Sequence, residues 1–187
     1  MKMKKNYGYA RMMEILKPSA DRMEPKCAFH KQCGGCQIQA LSYEKQLAYK
    51  KNKVLNNLTR IGGLSALPEF DVIGMEKPYH YRNKVQAAFG ERKGEIISGV
   101  YQSSTHTIVP VDNCLIEDEK ADEIIVTVRK LLKSFKLRPF NDVTMKGFLR
   151  HVLIKRGALS GEIMVVLVTS QMEFPKESQF VNALLSR

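Results

Sequence analysis

At 187 residues with 44% hydrophobic side chains, the chain is long enough for one ordinary domain with a buried core, and its composition excludes a disordered tail. No run of about 18 uncharged apolar residues occurs and no apolar segment follows the basic start, so membrane spanning and secretion lack a signal and the cytoplasm is the expected compartment. The net charge of +11 is concentrated, because residues 1–60 hold 13 basic and 4 acidic side chains, which could form a face towards a polyanion or simply a solvated surface.

Residues 7–16 read as one strand ended by Lys17-Pro18, and residues 22–40 as an aperiodic, cysteine-bearing loop. From Leu41 to about Arg60 the positions of Leu47, Val54, Leu55 and Leu58 predict a lysine-rich helix stopped at Gly62-Gly63. Strand-like segments follow at Val72–Gly74, Arg82–Phe89, Ile96–Tyr101 and Thr107–Val111, with a hairpin turn over residues 91–94. A second helix is predicted from Asp118, its cap, to about Lys136, burying Ile124, Ile125, Val128, Leu131 and Leu132. A hairpin pairs residues 149–156 with 162–168, and a third helix begins near Pro175 with Phe180, Val181, Leu184 and Leu185 on its apolar side. The sum is an α+β fold, a mostly antiparallel sheet with flanking helices.

Four cysteines in a chain with no secretory signal point to metal or redox chemistry rather than a disulfide framework, and three of them fall within ten residues. Cys27-x5-Cys33-Gly34-Gly35-Cys36 together with Cys114 supplies four soft thiolates, the usual complement of a [4Fe-4S] cluster. Glycines between the ligands let the backbone turn tightly and bring N–H groups near sulfur. The competing reading is zinc, held by Cys27, His30, Cys33 and Cys36 with Cys114 left out.

At these residues the chain resembles the bacterial 23S rRNA (uracil-5-)-methyltransferases. The likeness starts in the segment from Cys27 to Lys50 and continues through Tyr81-Arg82-Asn83-Lys84, His106 to Val109 leading to Cys114, and Leu149-Arg150-His151 before the run from Gly161 to Val168. One departure is Gln102, where many relatives carry a basic residue.

The resemblance implies a three-part enzyme: an N-terminal OB-like barrel, a central cluster-bearing α+β domain and a C-terminal Rossmann-like domain that binds S-adenosylmethionine. Residues 1–20 would be the last barrel strand with its linker, residues 21–187 the central iron-sulfur RNA-binding domain, and the helix over 41–61 would pack on the catalytic part, which is expected to be absent. In the family a thiolate adds to C6 of uracil, C5 takes the methyl group and a carboxylate removes the C5 proton. No catalytic residue and no S-adenosylmethionine ligand is assigned within residues 1–187, since all four cysteines are expected to bind iron and no glycine-rich strand-to-helix turn occurs. The chain is therefore expected to be inactive alone, a monomer whose partner is ribosomal RNA. Arg82 and Lys84 suit phosphates from one strand face, Asn83 suits a base edge from the other, Tyr81 can stack, and Arg150 is a further RNA candidate. The contrasting expectation is a free-standing zinc-binding nucleic-acid-binding protein.

Overall fold

The computed structural model describes residues 2–186, which divide into two compact units, residues 2–25 with 38–73 and residues 26–37 with 74–186. In the smaller unit, β1 (Lys2–Met3) pairs antiparallel with β2 (Gly8–Tyr9). The strand expected over residues 7–16 is thus cut to two residues. Met12, Met13 and Leu16 lie exposed with no partner strand, so the ladder has nothing to extend on.

Helix α1 (Tyr43–Asn56) starts where the Ser42 side chain accepts the Lys45 N–H, and a π-helical turn over Asn57–Ile61 carries it to Gly62. None of its residues is fully buried; Val54 and Leu58, expected on an apolar stripe, are exposed. The segment expected as a strand at Val72–Gly74 is irregular, with Ile73 98% exposed and no neighbouring strand to pair with.

The larger unit is built on a five-stranded antiparallel sheet in the order β5-β4-β3-β6-β7. Its strands are β3 (Lys84–Arg92), β4 (Glu95–Tyr101), β5 (Ile108–Pro110), β6 (Leu149–Arg156) and β7 (Ile163–Thr169). Strands β3 and β4 close on a two-residue turn, Lys93 and Gly94, both at positive φ, the geometry whose twist matches an antiparallel pair. β3 starts two residues later than the sequence suggests, because Arg82 pairs with Glu117 rather than with a sheet strand.

Helices α2 (Glu119–Ser134) and α3 (Glu177–Leu185) supply the apolar side chains that cover one face of this sheet. Asp118 caps α2 by accepting the Ala121 N–H and also receives Arg156 from β6 at 2.8 Å. Alternation along the strands puts Val85, Ala87 and Phe89 of β3 and Val152 and Ile154 of β6 against Ile125, Val128 and Leu132 of α2. Arg129 ties the helix to the sheet, donating to Ser98 Oγ at 3.1 Å and forking onto Asp112 at 2.6 and 3.0 Å. The α+β architecture expected from the sequence is the one observed.

Phe180 of α3 is fully buried against Phe135 and Phe174, with ring centroids 5.3 and 5.0 Å away. Phe180→Ala is expected to lower the unfolding free energy by about 3–5 kcal/mol, through lost burial and a residual cavity. Urea denaturation of the two proteins reads this directly, and a loss below about 1 kcal/mol would show that α3 is not part of the core.

Candidate functional site

All four cysteines lie in the larger unit and are half-buried, with no disulfide among them. Residues 26–37 are a string of turns in which the Phe29 carbonyl accepts the N–H groups of Gln32 and Cys33 at 2.9 and 2.7 Å. The Gly35 N–H points at Cys33 Sγ, 3.3 Å away. Cys33 bridges to Gln102 at the end of β4, and a Cβ on Gly34 would sit 3.1 Å from the Ser103 backbone, so a glycine lets the two segments meet. At the other end of the loop, Lys26 Nζ lies 5.1 Å from the Tyr79 ring, and the neighbouring His80 N–H donates to the carbonyl of Leu115, the residue after Cys114.

The loop and the Cys114 segment are thus held to one sheet, but the four thiols do not stand as an assembled ligand set. Among the described residues, no three His, Cys, Asp or Glu side chains are arranged to hold a metal ion. The donors are soft thiolates, one backbone N–H is directed at the Cys33 sulfur, and His30 Nδ1 is buried without a partner in the same loop.

Cys114 is positioned by carboxylates that sequence reasoning missed. Its N–H donates to Asp122 Oδ2 at 2.7 Å, and burial pushes its thiol up to about 11. Asp122 and Glu117 are 6% and 5% exposed, and burial raises the pKa of both above the usual carboxylate range. Arg82 Nη1 stands 3.6 Å from Glu117 and opposes that rise, while His80 Nδ1 lies 2.9 Å from the Glu117 carbonyl oxygen. The signal for Asp122 was present in its spacing, three residues before Ile125 on the buried stripe of α2 rather than on the solvent side.

The RNA candidates separate into two kinds. Tyr81, Asn83 and Lys84 are exposed at the start of β3, and the register sets Lys84 directly opposite Lys155 of β6. Like charges facing each other across a ladder are unfavourable, so the pair leaves positive charge concentrated at this end of β3 and β6. Lys155 was not singled out in the sequence because only the strand register brings it to Lys84. Arg82 and Arg150, by contrast, are engaged within the protein. Arg82 faces Glu117, and Arg150 donates to Asp142 at 2.8 Å while stacking 4.6 Å over Phe140. Arg150 also sits about 17 Å along β6 from Lys155, at about 3.3 Å per residue, outside the patch at Lys84.

No known protein-family profile matches the chain. Proteins described as uncharacterized RNA methyltransferases from Clostridium tetani and Clostridium acetobutylicum are 40% and 41% identical to it over 184 and 186 residues, each covering 98% of this chain and 40% of the relative. A protein of the same description from Listeria innocua is 40% identical over 187 residues, covering 100% of this chain and 41% of the relative. The chain spans about 40% of the length of the curated relatives it matches. Among solved structures, the Pyrococcus abyssi tRNA (uracil-54, C5)-methyltransferase in complex with S-adenosyl-L-homocysteine matches with a TM-score of 0.66 and 26% identity, over 89% of this chain and 37% of that one. The chain is therefore similar to one part of longer RNA methyltransferases. In structure, it is similar to one part of a uracil-C5 methyltransferase.

Removing Arg82 tests the carboxylate cluster. Arg82→Ala is expected to cost about 1–3 kcal/mol, below the figure for a fully buried pair because the side chain is 40% exposed. Glu117 already titrates high in the folded state and would titrate higher without the cation. The unfolded state is the same in both proteins, so the penalty vanishes below the wild-type folded pKa of Glu117 and is full above the higher folded pKa of the variant; the deficit is therefore larger at pH 8 than at pH 5. Urea unfolding at both pH values checks this; equal deficits would mean that Arg82 acts through packing alone.

Proposed function

We propose that residues 1–187 form the RNA-recognition and [4Fe-4S]-bearing part of an S-adenosylmethionine-dependent uracil-C5 methyltransferase that acts on 23S ribosomal RNA. The observation that carries this reading is the 40–41% identity to RNA methyltransferases along almost the whole chain, joined to the structural likeness to a uracil-C5 enzyme. The choice of ribosomal RNA rests on the resemblance of the segment from Cys27 to Lys50 to the bacterial 23S rRNA enzymes. No helix among the described residues is long and apolar enough to cross a membrane. A cytoplasmic monomer suits a chain whose four thiols have to stay reduced.

In this reading Cys27, Cys33 and Cys36 would hold three corners of the cluster from one loop and Cys114 the fourth from the sheet. The cluster supplies a rigid cross-link and needs no redox step, because methyl transfer from a sulfonium moves no free electrons. Tyr81, Asn83, Lys84 and Lys155 hold the RNA backbone and stack on exposed bases beside the target uracil. Residues 1–187 contain no cysteine beyond this quartet and no glycine-rich turn for a nucleotide cofactor, so they orient the substrate rather than transfer the methyl group.

A zinc-bearing nucleic-acid-binding protein is the second reading, favoured by the unpartnered His30 Nδ1 within the cysteine loop. The two separate on anaerobic purification. The cluster reading expects a brown protein with about four iron and four acid-labile sulfide per chain, lost in Cys114→Ser. Colourless protein with one zinc per chain, retained in Cys114→Ser and lost in His30→Ala, would replace it.

The purified 187-residue chain is further expected to bind a 23S rRNA fragment more tightly than transfer RNA and to transfer no label from S-adenosylmethionine to either. Methylation by this chain alone would refute the division of labour, and a preference for transfer RNA would reassign the substrate.

A further inference from the structure

The sheet face turned away from α2 and α3 carries a cleft of about 780 Å³, within the range of roughly 300–1,000 Å³ that accommodates small ligands. It lies between the β3–β4 turn and the loop over residues 138–147, over a floor that includes Ile97, Tyr101 and Ile108. Two kinds of chemistry meet there. The Tyr101 ring is flanked by His106 at 5.5 Å and by His151, edge-on, at 6.2 Å, which leaves an aromatic cluster at one end of the floor. Burial and the Arg150 charge lower the pKa of His151, so the support beneath Tyr101 stays neutral near physiological pH.

Around this floor the rim is cationic. Arg92, Lys93, Arg138 and Lys146 all line the cleft, and none of them is ion-paired among the described residues. Of the two acidic residues in the lining, Glu91 and Asp142, the second is neutralised by Arg150 at 2.8 Å. Cations without carboxylate partners over an aromatic floor form the combination that receives a phosphate backbone and an unstacked base together. A duplex does not fit, since its bases are stacked and an A-form helix offers proteins only a shallow groove.

We propose that this cleft is a second RNA-binding site, which takes one or two nucleotides of a single-stranded segment, the base resting on Tyr101 and His106 and the phosphates on Arg138 and Lys146. It shares no residue with the patch at Tyr81, Asn83 and Lys84 and rests on the reading of the chain as an RNA-recognition module.

The test is fluorescence anisotropy of the 187-residue chain with labelled single-stranded oligouridine and with a blunt RNA duplex. Tyr101→Ala is expected to weaken single-strand binding about tenfold, with Tyr101→Phe retaining it, because the ring stacks through its face. Arg138→Ala and Lys146→Ala should each take about 0.7 from the slope of log affinity against log salt. Lys146→Glu, at an exposed loop position, repeats the test without touching the core, and Lys130→Ala on α2 should behave as wild type. Wild-type binding with unchanged affinity in both Tyr101→Ala and Lys146→Glu overturns the cleft and leaves the RNA reading standing. Failure of the wild type to bind any RNA overturns both. Displacement of oligouridine by an equal concentration of polyglutamate would overturn the cleft as an RNA site and assign it to an acidic peptide.

Discussion

The larger unit depends on two buried carboxylates at the start of α2. Asp122 takes the Cys114 N–H, Glu117 faces Arg82, and the backbone around them is laced to residues 80–82. Buried charges of one sign are costly unless each is met by a donor or a cation, and here the partners come from two separate stretches of chain, Cys114 and residues 80–82. The result is a knot that fixes where α2 begins, where β3 enters the sheet and how the Cys114 peptide is oriented. A helix terminus is a natural place for such a knot, because its unsatisfied N–H groups and dipole favour negative charge.

Two routes therefore hold the cysteine-bearing loop to the sheet, and both are weak ones made of few bonds. Cys33 reaches Gln102 by a single bridge, and Lys26 reaches Tyr79 through a cation–π contact. On the proposed reading that the loop holds a metal, drawing its thiolates together would put part of the binding energy into ordering the loop.

Much of the fold could be read from the sequence because its local and global preferences agree. The stripe Ile125, Val128, Leu132, the Asp118 cap and the β6–β7 hairpin all emerged where periodicity placed them. The failures have a common cause. Residues 10–16 and 72–74 have strand-like composition, but β structure needs a partner ladder, and among the described residues no strand pairs with them. The candidate site was less legible for a similar reason. Cys27, Cys33 and Cys36 announce themselves by spacing, whereas Lys155 joins Lys84 only through strand register, and the aromatic cleft assembles from β3, β4, β5 and a loop over residues 138–147 distant in sequence. Arg82 and Arg150 were visible as cations, but the carboxylates that occupy them come from elsewhere in the chain.

The two borders of the five-stranded sheet are unlike. β5 is three residues long and finishes on Pro110, which has no N–H to donate, so that border is blunted against further pairing. β7 runs seven residues, Ile163–Thr169, without a charge, and Met164, Val166 and Val168 are exposed along it. Growth of the sheet by another strand, whether from a continuous polypeptide or from a neighbouring molecule, is thus directed to one side only. The same asymmetry makes that side the place where self-association would begin in concentrated solution.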